Sequence, residues 1–234
     1  MRIAIMQPYF LPYVGYFQLM AAVDKFVLLD DVNFINRGWI NRNRIWSNGI
    51  AEWITLPLVK ASQNRLIGEL EILPDDGWKA KLLRKAENSY PRASYAENAL
   101  KLFAAIVSEA EGHLSTFLSH TLRRINNYLG VSVNMEPTSS VYPKDGLRGQ
   151  DRILDICRRE RADTYVNLPG GQKLYSRESF KAAGIELAFL DPNLQSLSLR
   201  FSGYEGPVLS ILDLLMLNPV ADVKKAVHTC RLTA

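Results

Sequence analysis

Apolar positions fall along this chain in two alternating rhythms. Short, nearly unbroken apolar runs such as Arg2–Met6 and Lys25–Leu29 have strand length and suit strands buried on both faces. Between them, Tyr16, Leu19, Met20 and Val23 recur at helical spacing within Tyr13–Val23. Strand, short crossover, strand predicts a βαβ unit with a parallel pair. The same rhythms predict strands at Glu52–Leu58, Val131–Met135, Thr164–Val166 and Ile185–Leu190. They predict helices at Trp78–Tyr90, at Ala96–Leu129 with a break near Gly112, and at Asp151–Glu160, Ser176–Ala183 and Val208–Leu217. Gly130 and Gly184 are placed to end helices, and Asn218-Pro219 stops the last one. Alternating strands and helices predict one α/β domain over residues 1–234, three-layered around a mostly parallel sheet, with a mainly helical portion at about 75–130. Ligands of such folds sit at the carboxyl ends of the strands.

Composition narrows the function classes. The apolar fraction of 47% and charged fraction of 22% are those of an ordinary globular protein able to bury its own core. The net charge of +4 is spread along the chain, so a nucleic-acid footprint is not compelling and a local field for a small anion fits equally well. Cys157 and Cys230 have no metal-ligand spacing, so neither a disulfide framework nor a metal site is expected. Pro8 and Pro12 break the apolar start before it resembles a leader, and no run reaches membrane-spanning length, so a cytoplasmic location is expected. Oligomeric state is not legible.

The chemistry concentrates in the first 65 residues. Gln7-Pro8-Tyr9 leads from the first strand to Tyr13-x-Gly15-Tyr16 at the start of the first helix, where free amides favour an anion. Asp30 and Asp31, just past the second strand, are candidates to hold Mg²⁺, receive a substrate ammonium or act as a base; turn or cap roles compete with those. With Tyr16 they are the catalytic candidates. Asn33 follows. The segment Arg37–Arg44 is the most specific: extended, it puts Arg37, Trp39, Asn41 and Asn43 on one face and Arg42 and Arg44 on the other. Arginine forks suit phosphates, asparagines orient sugars, and Trp39 supplies a stacking wall. Lys60 and Gln63 offer further anion contacts. Asn167, Gly170, Gly171 and Tyr175 lie between a strand and a helix, where a Gly-Gly pair can turn amides toward an oxyanion. Ser210 and Asp213 read as a variant capping box, and His113, His120 and His228 form no catalytic constellation.

Two resemblances sharpen this reading. Tyr13-x-Gly15-Tyr16 occupies the place of the His-x-Gly-His signature, and the architecture resembles the nucleotidylyltransferase and class I synthetase (HUP-like) folds. More specifically, Met6–Phe17, Asp30–Phe34, Arg37–Asn43, Lys60–Asn64, Gly170–Tyr175 and Leu209–Met216 resemble the WbqC-like family of bacterial surface-polysaccharide (O-antigen, lipopolysaccharide) biosynthesis. Glu160-Arg161 stands where that family tends to a glycine-containing turn. The family resemblance implies an enzyme that transfers an aminoacyl group such as glycine onto an amino sugar. With the fold resemblance, it implies an acyl-adenylate route using ATP and Mg²⁺, with no bound prosthetic group. The partners implied are an amino-sugar nucleotide and an amino-acid donor, the latter free, as a thioester or as charged tRNA. A sugar nucleotidylyltransferase and a non-catalytic nucleotide-sugar binding protein are the alternatives.

Overall fold

A computed structural model describes residues 1–75, 77–192, 199–202 and 209–233. The parallel strands are β1 (Arg2–Met6), β2 (Lys25–Leu28), β5 (Asn134–Glu136), β6 (Thr164–Asn167) and β7 (Glu186–Asp191). A hairpin, β3 (Arg42–Ser47) and β4 (Ile50–Thr55), stands apart, and β8 (Arg231–Thr233) closes the main sheet antiparallel to β7. The helices are α1 (Val14–Ala22), α2 (Gly77–Ser89), α3 (Ala96–Ser108), α4 (Leu114–Leu129), α5 (Gly149–Arg159), α6 (Arg177–Ala182), α7 (Ile211–Leu217) and α8 (Val220–Val227).

The main sheet runs β5-β2-β1-β6-β7-β8. Period-two alternation in β1 explains its two coats. Ala4 faces a core built with α1, α4, α7 and α8, while Ile3 and Ile5 face a second core with Ile153, Ile156 and Cys157 of α5 and Phe180 of α6. That is the expected three-layer α/β architecture. From β1 the chain goes outward through β2 to β5, then returns to β6 on β1's other side and continues to β7. The order reverses between β1 and β6, so a crevice is expected at their carboxyl ends, where Gln7 and Asn167 begin the next loops.

Several expectations are corrected. The strand expected at Glu52–Leu58 belongs to the hairpin, not the main sheet, because Arg42–Ser47 pairs with Ile50–Thr55 across a two-residue loop. Asn48 (φ 49) and Gly49 (φ 85) give that loop the left-handed backbone of tight hairpins. The 167–176 loop contains a 3-10 helix over Pro169–Leu174. Helix α7 starts at Ile211, while Val208 lies outside the described residues. Ser210 does cap α7, accepting from the Leu212 amide at 3.2 Å, but no box forms: Asp213 turns instead to Tyr90 and Ser202. Helix α8 and strand β8 were not foreseen.

Candidate functional site

Phenols gather where the crevice is expected, at the carboxyl ends of β1 and β6. The Tyr16 ring is fully buried, 5.6 Å from Tyr9, and its hydroxyl donates to the Gln7 carbonyl at 2.9 Å. Tyr16 therefore braces the turn after β1, with its proton committed to Gln7 and its side chain fully buried. Tyr9 and Tyr13 are only half-buried, as is Tyr175 on the β6 side. The Tyr13 ring folds back over Gly15, where a Cβ would come within 2.4 Å of it, which explains the glycine. Across the crevice the Tyr165 hydroxyl lies 3.3 Å from that of Tyr175 and accepts from Asn167 Nδ2 at 3.0 Å. Gly171 lets the Asn167 amide lie there: a Cβ at 171 would sit 2.7 Å from Nδ2. The Gly171 amide, expected to face an oxyanion, donates to Leu168 O at 2.9 Å, while Gly170 is exposed.

Burial is the first cause pushing up the pKa of Tyr9, Tyr13 and Tyr175, with Tyr13 at about 12; neighbouring phenols add to the shift at Tyr9 and Tyr13. These hydroxyls stay neutral and keep their protons, so they are hydrogen-bond donors rather than bases. The side chain of Gln7 is half-buried and makes no hydrogen bond among the described residues.

The turn that carries Tyr9 and Tyr13 is held under strain. Leu11 has φ 46, a conformation costing about 1–3 kcal/mol in a non-glycine residue. Its carbonyl accepts from Asn43 Nδ2 at 2.8 Å and from Ser210 Oγ at 2.9 Å, and Asn43 also donates to Phe10 O at 3.0 Å. Asn43, buried on the inner face of β3, thus couples the hairpin to the crevice.

Asp30 and Asp31 are brought close to this edge, but inside a closed network. Asp30 accepts from Ser115 Oγ at 2.6 Å, Thr138 Oγ1 at 2.8 Å and the Ser139 amide at 3.0 Å. Asp31 accepts from Ser139 Oγ and pairs at 2.9 Å with Arg152, whose side chain is 2% exposed. Arg152 also donates to the carbonyls of Pro143, Ser139 and Tyr142. This arrangement ties the ends of β2 and β5 to α4 and α5. It leaves the two carboxylates committed, so a Mg²⁺ site does not fit them, and among the described residues no cluster of three or more His, Cys, Asp or Glu is placed to hold a metal.

The outer face of the hairpin is different. Arg42 and Arg44 alternate outward on β3 and face Thr55 and Trp53 across the strands. The turn at Arg37 (φ 60) and the bend after it break the alternation expected for 37–43, so Trp39 joins the Arg42–Arg44 face instead of opposing it. Trp39 and Trp53 contact at 5.4 Å between centroids, Arg42 lies 3.8 Å over Trp53, and Arg44 is 5.2 and 5.3 Å from the two rings. Arg42 donates to the Gly38 carbonyl at 3.1 Å and to that of Arg37. Its pKa is lowered by desolvation first, then by Arg37 and Arg44. Asn41 instead donates to Leu56 O at 2.8 Å, a hairpin strut. The Phe10 amide donates to the Trp39 and Ile40 carbonyls at 3.1 Å, so this face borders the phenol crevice.

Asn33 pairs through its backbone with Leu66, and Lys60 and Gln63 stand exposed on the loop after β4, contributing to neither cluster. Sequence reasoning missed Tyr9, Tyr165 and Trp53 as site residues. For Trp53 a signal existed: Asn48-Gly49 between two alternating runs specifies a two-residue hairpin, whose register sets residue 53 opposite residue 44.

Residues 7–225 match the family described as the WbqC-like protein family. The chain is 31% identical over 233 residues to the uncharacterized protein Rv1507c of Mycobacterium tuberculosis (strain ATCC 25618 / H37Rv), covering 98% of this chain and 99% of that protein. No solved structure matches.

Proposed function

The chain belongs to the WbqC-like protein family, and from that premise we propose that it is an amide-forming group-transfer enzyme of bacterial surface-glycan biosynthesis. It moves an aminoacyl group, glycine-like in size, onto the amine of an amino-sugar nucleotide. The observation that carries the reading is the array of neutral phenol donors, Tyr9, Tyr13 and Tyr175, at the crevice where the strand order reverses.

The amine nitrogen attacks the activated acyl carbon, a C–N bond forms, the bond to the activating group breaks, and the ammonium proton leaves to solvent. Negative charge develops on the carbonyl oxygen in the tetrahedral intermediate. Hydroxyls that remain protonated are suited to receive it, and loss of one such donor typically costs about 10²–10³ in kcat. No side-chain nucleophile is required when the reactants are held together. In this reading Tyr9 and Tyr13 touch the reacting oxygen, while Tyr16, Asp30 and Asp31 fix the loops that place them. The donor is activated either here as an adenylate from ATP or beforehand as a thioester or charged tRNA.

Purified protein incubated with a UDP-amino sugar and each donor form should yield a product heavier by one aminoacyl residue, and Tyr9→Phe should lower its rate about 100-fold. Pyrophosphate exchange into ATP dependent on an amino acid supports the adenylate route. Pyrophosphate release from a nucleoside triphosphate with a sugar phosphate, and no amide, would make the protein a nucleotidylyltransferase. Tight nucleotide-sugar binding without turnover with any donor would make it a binding protein.

A further inference from the structure

The outer face of the hairpin carries a feature that packing does not account for. Arg42 and Arg44 lie against two indoles, with Arg37 near enough to lower the pKa of Arg42, and among the described residues no carboxylate pairs with any of the three. The nearest acid on the hairpin, Glu52, is taken by Lys85 at 2.7 Å. Arg44 is the extreme case. Its Nε is buried without a hydrogen-bond partner among the described residues, as is that of Arg152, but the Arg44 guanidinium packs beside Trp39 and Trp53 with no acceptor or counter-charge among the described residues.

The buried Nε is out of reach of a ligand, but Arg44 is only half-buried, so the remaining guanidinium nitrogens are left to water or to an incoming acceptor. Arg42 differs, since its Nε and Nη2 are already spent on the carbonyls of Gly38 and Arg37. That fixes Arg42 as a positive strut beside Arg44. The two indoles touch at 5.4 Å, a spacing typical of a ring pair in direct contact, and leave no slot for a base between them. A ligand is therefore read here by its charge and oxygen geometry.

We propose that this face is an anion clamp for the diphosphate linkage of a nucleotide, with Arg44 as the main contact, Arg37 and Arg42 as flanking charge, and Trp39 and Trp53 as the walls that aim Arg44. Planar guanidinium forks match phosphate oxygens two at a time, and clustered forks suit two adjacent phosphates better than one. The strained turn links the clamp to the crevice, because Trp39 O and Ile40 O receive the Phe10 amide next to Tyr9. The inference rests on the proposed function only for what the diphosphate belongs to. An acceptor nucleotide sugar and ATP share this chemistry.

Titration calorimetry on the full chain decides it, using inorganic pyrophosphate, a UDP-sugar, ATP and a short single-stranded RNA. The expected result is pyrophosphate binding that weakens about 10- to 100-fold in Arg44→Ala, the loss of one charge-assisted contact. Arg44→Lys should recover only part of it, since an ammonium lacks the fork. Trp53→Leu should weaken binding about 3- to 10-fold with Arg44 still present. Lys101→Ala, an exposed charge on α3, should bind as the parent does. Tighter binding of the UDP-sugar than of ATP assigns the clamp to the acceptor, and the reverse assigns it to the donor. Absence of pyrophosphate binding, unchanged binding in Arg44→Ala, or RNA bound more tightly than any diphosphate with a steep salt dependence would overturn the proposal. Diphosphate binding that follows Arg44 without any aminoacyl transfer leaves the clamp standing and removes the proposed reaction. Transfer that persists in Arg44→Ala with unchanged KM does the opposite.

Discussion

Two charged regions flank the same crevice and are built in opposite ways. At the end of β2, Asp30, Asp31, Arg152 and the hydroxyls around them answer one another's charges, with donors arriving from α4, α5 and the loop after β5 and Arg152 Nε left without a partner among the described residues. On the outer face of the hairpin, Arg37, Arg42 and Arg44 crowd together with no carboxylate among the described residues to answer their charge. Both looked like active-site chemistry as letters in a sequence. The difference teaches that residue type marks where polar groups were placed at a cost, whereas only their partners tell whether the cost is met inside the protein or by a ligand.

The largest effect should come from breaking the closed network. Asp31→Ala leaves the Arg152 guanidinium buried without its counter-ion and should destabilise by about 3–5 kcal/mol in chemical denaturation. Arg152→Met with Asp31→Leu should recover only part of this, because three backbone carbonyls lose their donor as well. If Asp31→Ala folded normally and lost only activity, the contrast between the regions would collapse and Asp31 would belong to the chemistry. The opposite pattern is expected on the hairpin. Arg44→Ala should lose about 1.5–3 kcal/mol of ligand binding while its unfolding free energy stays within about 0.5 kcal/mol of the parent's.

A third carboxylate sharpens the comparison because it is only partly compensated. Asp213, 2% exposed, accepts from Tyr90 at 2.9 Å and from Ser202, yet its pKa is raised, with burial as the main cause and the hydrogen bonds opposing it. Folding thus favours the protonated form. The stabilisation is full below the ordinary value of 3.8 and is lost as pH rises through the higher folded value. Asp213→Asn should flatten that decline, and each unit of difference between the two states corresponds to about 1.4 kcal/mol. Denaturation curves collected from pH about 4 to about 7 test this; parallel slopes in parent and variant would mean that Tyr90 and Ser202 fully offset the burial.

Much of the architecture was legible because strands and helices declare themselves by period. The parallel sheet, the break between α3 and α4, and the helix ends at Gly130 and Gly184 followed from local rules that tertiary context did not override. The hairpin was half-read: its basic face was seen, but without the Asn48-Gly49 signal the strand partner stayed hidden, and Trp53 with it. The roles of Asp30, Asp31 and Tyr16 were not legible at all. Their partners, Ser139, Arg152 and the Gln7 carbonyl, arrive by three-dimensional folding, some from more than 100 residues away. Sequence places polar groups near a strand end and is silent on who answers them.

The smallest effect tests whether an unpartnered arginine means anything by itself. Arg161, like Arg44, makes no side-chain hydrogen bond or ion pair among the described residues, but it is exposed, so water serves its guanidinium. Its backbone is what stands out: φ is 54, just after α5, where the Ala162 amide closes onto Cys157 O at 2.9 Å. This is the left-handed helix end that glycine fills at least cost. Arg161→Gly should therefore stabilise the fold by about 0.5–1 kcal/mol, the relief of a side chain in that conformation less the added freedom of the unfolded chain. Diphosphate binding and turnover should be unchanged. A loss of binding in Arg161→Gly equal to that in Arg44→Ala would show that overall positive charge, not the indole-walled geometry of the hairpin, holds the anion. Stability gained with binding intact would separate the two arginines by their surroundings, the indole-walled, half-buried face of the hairpin against an exposed helix end.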